Sequence, residues 1–243
     1  MKAHNLIILI LIPLYCLLWI GGIISYTFFD GPSSDSRWTA PLFLCLAAAI
    51  SLTLTHPNYR LHLLSSGLMC LAVEMVGVHS GFPFGEYVYT QVLQPHFLGV
   101  PIAIGCAWLI LFAYVKQMLQ FFAIPLPWQY LCGASWMVTL DLVIDPLASG
   151  PLTYWIWEEK GLYYGIPLTN FLGWFIVSLM LFLIYRNPWP RHIGDTHVGL
   201  SIVIFFSLIA ITRGILGAFV VGAGLVFLHF WVFWKIRIKD SGL

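Results

Sequence analysis

The chain places its apolar residues in runs about as long as a bilayer is thick. Residues 6 to 26 form one run, and others lie at about 40 to 55, 61 to 78, 98 to 115, 128 to 145, 167 to 185, 198 to 212 and 215 to 234. A hydrocarbon core of about 30 Å takes roughly 20 such residues per helix. With 60% hydrophobic residues, 9% charged residues and a mean hydropathy of +0.89, the chain reads as a polytopic membrane protein. The expected fold is all-α, a helical bundle of seven to eight transmembrane helices in one domain over residues 1–243, with the second and seventh spans short. Lys2 precedes the first run, but that run is long and no A-x-A-like cleavage site follows, so it is expected to stay as a helix. "TRG" at 212 to 214 offers the break between the last two spans.

Charge sets the expected orientation. With eight spans and a cytoplasmic N-terminus, Lys2, Arg60, Lys116, Arg186, Arg191, Lys235, Arg237 and Lys239 lie inside, and only Arg37, Lys160 and Arg213 outside. This agrees with the positive-inside rule and puts both termini in the cytoplasm. Net charge is +1 and the basic residues are scattered, which excludes nucleic acid as a partner. The five cysteines, Cys16, Cys45, Cys70, Cys106 and Cys132, are odd in number, lie in apolar spans and form no CxxC. They suggest neither a disulfide framework nor a zinc site, and no metal is expected.

The two longest internal loops align as a repeat. "SGFPFGEYVYTQVLQPHFLGVPIAIGCAW" runs from Ser80 to Trp108 and "SGPLTYWIWEEKGLYYGIPLTNFLGW" from Ser149 to Trp174. Each opens Ser-Gly, carries aromatics and glutamate, and gives Gly-[Val/Ile]-Pro with a tryptophan at the same offset: Gly99, Pro101, Trp108 and Gly165, Pro167, Trp174. Residues 61–115 and 128–185 would then be two copies of one helix-loop-helix unit.

Acids precede both loops: Glu74 the first, Asp141 and Asp145 the second. A carboxylate at the centre of a membrane helix costs roughly 2.5–3.5 kcal/mol on insertion scales. Asp141 and Asp145 are four residues apart, hence on one helix face, and Pro146 is expected to end or kink that helix. The spans bearing the acids run in the same direction, so Glu74 reaches the same side of the membrane as the aspartates. Asn170, one turn into the sixth span, and the loop residues Glu86, Tyr87, Tyr89, Trp155, Trp157, Glu158, Tyr163 and Tyr164 can reach that level. The inference is an acidic, aromatic-walled pocket at one membrane face. A simpler role exists for each part: acids near helix ends snorkel or cap, which suits Glu158 and Glu159 best, and Trp and Tyr form interfacial belts. His79 and His96 flank the first loop and offer ligand atoms, though lone loop histidines are usually not ligands.

A carboxyl in apolar surroundings keeps its proton nearer neutral pH and can act as a general acid. Two carboxyls sharing a site separate their proton affinities, so one holds a proton while the other stays ionised. Aromatic faces stabilise cations. Acid, aromatic walls and lipid access together suit carbocation chemistry on an isoprenoid.

The segments "EMVGVHSGFPFGEYVYT" (74 to 90), "LGVPIAIGCAW" (98 to 108), "DLVIDPLA" (141 to 148) and "YWIWEEKGLYYGIPLTNFLGW" (154 to 174) resemble the membrane-integral carotenoid biosynthesis proteins. That family includes the carotenoid 1,2-hydratases and bisanhydrobacterioruberin hydratase. The resemblance covers about 100 central residues; the outer helices match only as hydrophobic spans. It implies a hydratase that adds water across the terminal C=C of an acyclic carotenoid and needs no cofactor, in a prokaryotic cell membrane. The implied partners are the bilayer, a carotenoid dissolved in it, and other carotenoid enzymes. Glu74, Asp141 and Asp145 become the candidate catalytic acids, and Glu86, Tyr87, Tyr89, Trp155, Trp157, Tyr164 and Asn170 the candidate substrate contacts, with the proton donor among the three acids left open.

Other readings stay in view. "DLVID" is the D-x3-D pair of a prenyltransferase, but that activity needs a second acidic cluster for Mg²⁺ and basic residues for diphosphate. A cyclase would use the same protonated end group. The eight histidines form no HxxxH or HxxHH cluster, which disfavours di-iron oxygen chemistry. A transporter or proton channel also uses intramembrane acids, but here they gather at one face without a relay across the membrane.

Overall fold

The computed structural model describes residues 2–190 and 194–240. Among them are eight helices: α1 (Lys2–Phe28), α2 (Thr39–Leu54), α3 (Pro57–Ser80), α4 (Ile102–Leu119), α5 (Trp128–Ala148), α6 (Leu168–Ile184), α7 (Gly194–Thr212) and α8 (Leu216–Asp240). The expected all-α membrane bundle is the observed architecture. Six helices are long and apolar enough to cross a bilayer, and α6 and the apolar part of α7 are shorter. Of the basic residues expected inside, Arg191 lies outside the described residues.

The centre of the bundle is α4. From Ile102 to Val115 it is apolar on all sides, as a helix surrounded by other helices must be, and every residue from Trp108 to Leu119 is buried, Lys116 and Gln117 included. It packs against α2, α3, α5 and α7. At the α3–α4 crossing a Cβ on Gly67 would stand 2.8 Å from the Gly105 carbonyl oxygen. Two glycines there let the backbones touch, the usual device where lipid supplies no hydrophobic drive between helices. By contrast α1 lies at the edge against α2 and α7, and its Leu9 and Leu17 are about two-thirds exposed, a surface matched to hydrocarbon.

Two expectations about helix ends are corrected. The fourth helix begins at Ile102, not at residue 98, because Leu98 (φ 47°) and Gly99 (φ 82°) turn the chain between strands β2 (His96–Phe97) and β3 (Val100–Pro101). A two-residue hairpin turn of this kind needs positive φ at both central positions, which a helix cannot contain. Nor does Pro146 end α5, which continues to Ala148 with the Ser149 N–H donating to the Asp145 carbonyl at 2.9 Å. So close to the C-terminus, proline removes only one donor from the ladder.

The second loop repeats the first turn. Tyr164 (φ 51°) and Gly165 (φ 83°) turn the chain between the bridged residues Tyr163 and Ile166, and Pro167 then caps α6 as Pro101 caps α4. The two loops also join each other. Strand β1 (Tyr87–Tyr89) pairs antiparallel with β4 (Trp155–Trp157) in the register Tyr87↔Trp157, Val88↔Ile156, Tyr89↔Trp155. The Thr90 N–H to Tyr154 carbonyl bond (2.9 Å) and the Glu158 N–H to Glu86 carbonyl bond (3.0 Å) extend the ladder at either end.

Candidate active site

This two-stranded ladder roofs the ends of α3 and α5. Side chains alternate along a strand, so Tyr87, Tyr89, Trp155 and Trp157 turn inward while Glu86, Val88 and Ile156 face outward. The inward rings carry polar tips, and those tips meet the buried acids.

Glu74 accepts three hydrogen bonds. The Tyr87 and Tyr89 hydroxyls donate to Oε2 at 2.5 and 2.9 Å, and the Trp108 Nε1–H donates to Oε1 at 2.9 Å. Burial first, and the adjacent Glu74 carboxylate second, push the Tyr87 and Tyr89 phenols well above their ordinary range, so both remain proton donors. Asp145 is held in a parallel way. The indole N–H groups of Trp155 and Trp157 donate to Oδ1 at 2.9 and 3.2 Å, and the Asn170 Nδ2–H donates to Oδ2 at 2.7 Å. The same Asn170 amide nitrogen donates to Asp141 Oδ2 at 2.7 Å. One amide thus ties the two aspartates together from the facing helix.

A cavity of about 80 Å³ lies beneath the roof. Glu74, Asp145 and Asn170 line it, with Trp108, Trp174 and Phe84 among its aromatic walls. Asp141 is fully buried but stands behind Asp145, not on the cavity surface. The carboxyls therefore present their charge or proton to an almost wholly apolar, aromatic space. No Lys or Arg is among the described residues lining it.

The structure brings together Glu74, Asp141, Asp145, Tyr87, Tyr89, Trp155, Trp157 and Asn170, and leaves out two residues expected to contact substrate. Glu86 is exposed because it shares the outward strand face with Val88. Tyr164 sits at the tip of its turn with its hydroxyl accepting from the Gly217 N–H at 2.9 Å, against α8. Tyr163 donates to the Leu142 carbonyl at 2.9 Å, bracing α5. Glu158 and Glu159 are exposed. Of the loop histidines, His79 bonds back to the Met75 carbonyl and His96 packs beside Tyr89; neither lines the cavity. Trp108 and Trp174 are the site residues that chemical reasoning passed over. Their equal offset from Gly99 and Gly165 was the available signal.

Comparison with known proteins points one way. A family described as "Carotenoid biosynthesis protein" matches residues 38–231. Bisanhydrobacterioruberin hydratase of Haloarcula japonica is 32% identical over 136 residues, covering 54% of this chain and 46% of that protein. The chain thus spans about half the length of this curated relative. No solved structure matches the chain.

Proposed function

Because the chain belongs to the carotenoid biosynthesis protein family, we propose that it is a hydratase of an acyclic carotenoid end group, working by protonation of the terminal C=C and capture of the cation by water. The observation that carries this reading is the placement of Glu74 and Asp145 on one apolar, aromatic-walled cavity, each carboxyl oriented by three donors.

The Asp141–Asp145 pair supplies the proton. Two carboxyls bridged by one amide do not both ionise readily in a dry site, and Asp145 is the member in contact with the cavity. Its proton adds to the less substituted alkene carbon, and the π electrons form that C–H bond, leaving a tertiary cation. The faces of Trp108, Trp174 and Trp157 stabilise this charge. Water attacks the cationic carbon, and Glu74, which already accepts three hydrogen bonds as a carboxylate would, takes the proton released. Returning a proton to the aspartate pair completes a cycle whose net change is one water added. Asp141 acts through the pair as a positioning residue.

We place the termini in the cytoplasm, as the distribution of basic residues suggests. The cavity then opens toward the outer leaflet of a prokaryotic membrane, where the carotenoid arrives sideways from the lipid. Expression in cells that accumulate lycopene, with pigment analysis by chromatography and mass spectrometry, tests the proposal. The wild type should yield a product heavier by one water, and Asp145→Asn should not. Unchanged pigment with correctly inserted wild-type protein would overturn the proposal.

A further inference from the structure

A second cavity, of about 610 Å³, lies between α1 and the start of α2. Three of its wall residues, Phe43, Tyr154 and Phe205, also wall the acid-bearing cavity. Phe43 and Phe205 are in contact, with ring centroids 5.3 Å apart, so an aromatic wall one layer thick stands between the two spaces. Leu17, Leu18 and Gly21 give the second cavity an apolar wall along α1, where Leu17 and Gly21 are exposed, and Ser33, Ser36 and Thr39 line its polar end.

We propose that this groove binds the polyene stem of the substrate, while the acid-bearing cavity takes only the end group; the inference rests on the hydratase reading above. The sizes divide the molecule. The acid-bearing space, about 80 Å³, is the smaller of the two and suits the branched tip of an isoprenoid. The adjoining space of about 610 Å³ borders α1, the helix most open to lipid. To reach the acids an end group must part the Phe43 and Phe205 rings, which a slim, acyclic end does with less displacement than a ring.

The sequence of α1 supports an occupant. Glycine inside a helix is disfavoured relative to alanine, and α1 has two in succession. Gly22 is explained by packing, since its Cβ would stand 2.8 Å from the Phe205 ring. Gly21 is not: a Cβ there meets nothing within 4 Å, yet the residue lines the groove. Gly21 is exposed, so its missing side chain leaves the groove open along the outer side of α1. The edge of the groove is also fastened rather than loose. Arg213 binds Asp30 at 2.7 Å and the Tyr26 carbonyl at 2.7 Å, and Trp19 donates to the Ser201 carbonyl at 2.9 Å.

The test is retention of lycopene by the purified full-length protein in detergent, read by absorbance per protein, for the wild type, Gly21→Ala, Gly21→Phe and Ala40→Phe. Ala40→Phe blocks the groove from its α2 wall, and it keeps the test decisive if Gly21→Phe fails to insert. Wild type and Gly21→Ala are expected to retain lycopene. Monodisperse Gly21→Phe or Ala40→Phe should retain roughly tenfold less, equivalent to about 1.4 kcal/mol of lost binding. Full retention by both phenylalanine variants would overturn the proposal, as would a wild type that retains none. Lycopene retained in this groove-dependent way, but never hydrated, would instead count against the hydratase reading alone.

Discussion

Trp108 and Trp174 lie face to face, with ring centroids 3.9 Å apart and planes 18° from parallel. Each follows the glycine of its own Gly-[Val/Ile]-Pro turn by the same number of residues, so the corresponding helices α4 and α6 meet through corresponding side chains. Trp108 also reaches Glu74. The stack therefore joins α4 to α6 directly at the wall of the acid-bearing cavity.

Trp108→Phe keeps most of the ring and removes the donor to Glu74. Turnover is expected to fall about tenfold, the effect of losing roughly 1.5 kcal/mol of a hydrogen bond to a charged group, with membrane levels unchanged. Trp174→Leu removes the stack and is expected to lower the melting temperature, by the equivalent of about 0.5–1.5 kcal/mol beyond the area lost. Pigment conversion and thermal unfolding in detergent separate the two effects.

Asp145→Asn and Glu74→Gln should each reduce hydration by about 10²-fold or more, the range for removing a positioned acid or base. Glu158→Gln, at an exposed carboxyl outside the cavity, should retain wild-type conversion. Equal losses in all three would show that the acids act through folding rather than chemistry. Initial rates from matched membrane amounts decide this.

Asn170 donates to both aspartates, which makes its removal costly. Asn170→Leu is expected to destabilise the protein by about 1–3 kcal/mol, the penalty for leaving buried polar groups without a partner. Asp141→Leu added to that variant should recover part of the loss, because apolar replacement of a buried charged group is frequently stabilising. A double variant less stable than either single one would contradict this. Thermal unfolding of the four proteins measures it.

The repeated turns make a prediction about backbone alone. Gly165 (φ 83°) has open space around its would-be Cβ, so Gly165→Ala should cost about 1–2 kcal/mol purely through the left-handed conformation. Leu98 (φ 47°) is exposed, and Leu98→Asn should gain a fraction of that amount, since asparagine tolerates this region. Thermal shifts of opposite sign are the expected result.

Much of this arrangement was legible in the sequence. Hydrophobic run length located the eight helices of the described residues, because bilayer thickness leaves little choice of length. The acids stood out because carboxyls are costly in lipid. The four-residue spacing of Asp141 and Asp145 put both on one helix face, with Asn170 at their level; that the Asn170 amide bridges them comes from the structure alone. The roof was harder to read. Pairing of Tyr87–Tyr89 with Trp155–Trp157 joins segments far apart in the chain, and no local propensity encodes that. Alternation along a strand excludes Glu86 from the cavity, but only once the segment is known to be a strand. Tyr164 was misplaced because its backbone turns into the left-handed region, which a bulky residue adopts only when its surroundings impose it.

The most direct test of hydration is isotopic. Membranes holding the wild-type protein are given lycopene in water enriched in both ¹⁸O and deuterium, and the product is analysed by mass spectrometry and NMR. Protonation followed by water capture places one solvent oxygen on the tertiary carbon and one non-exchanging deuteron on its neighbour. An oxygen derived from O₂, a ring-closed isomer without added oxygen, or an alcohol lacking the carbon-bound deuteron would contradict the mechanism.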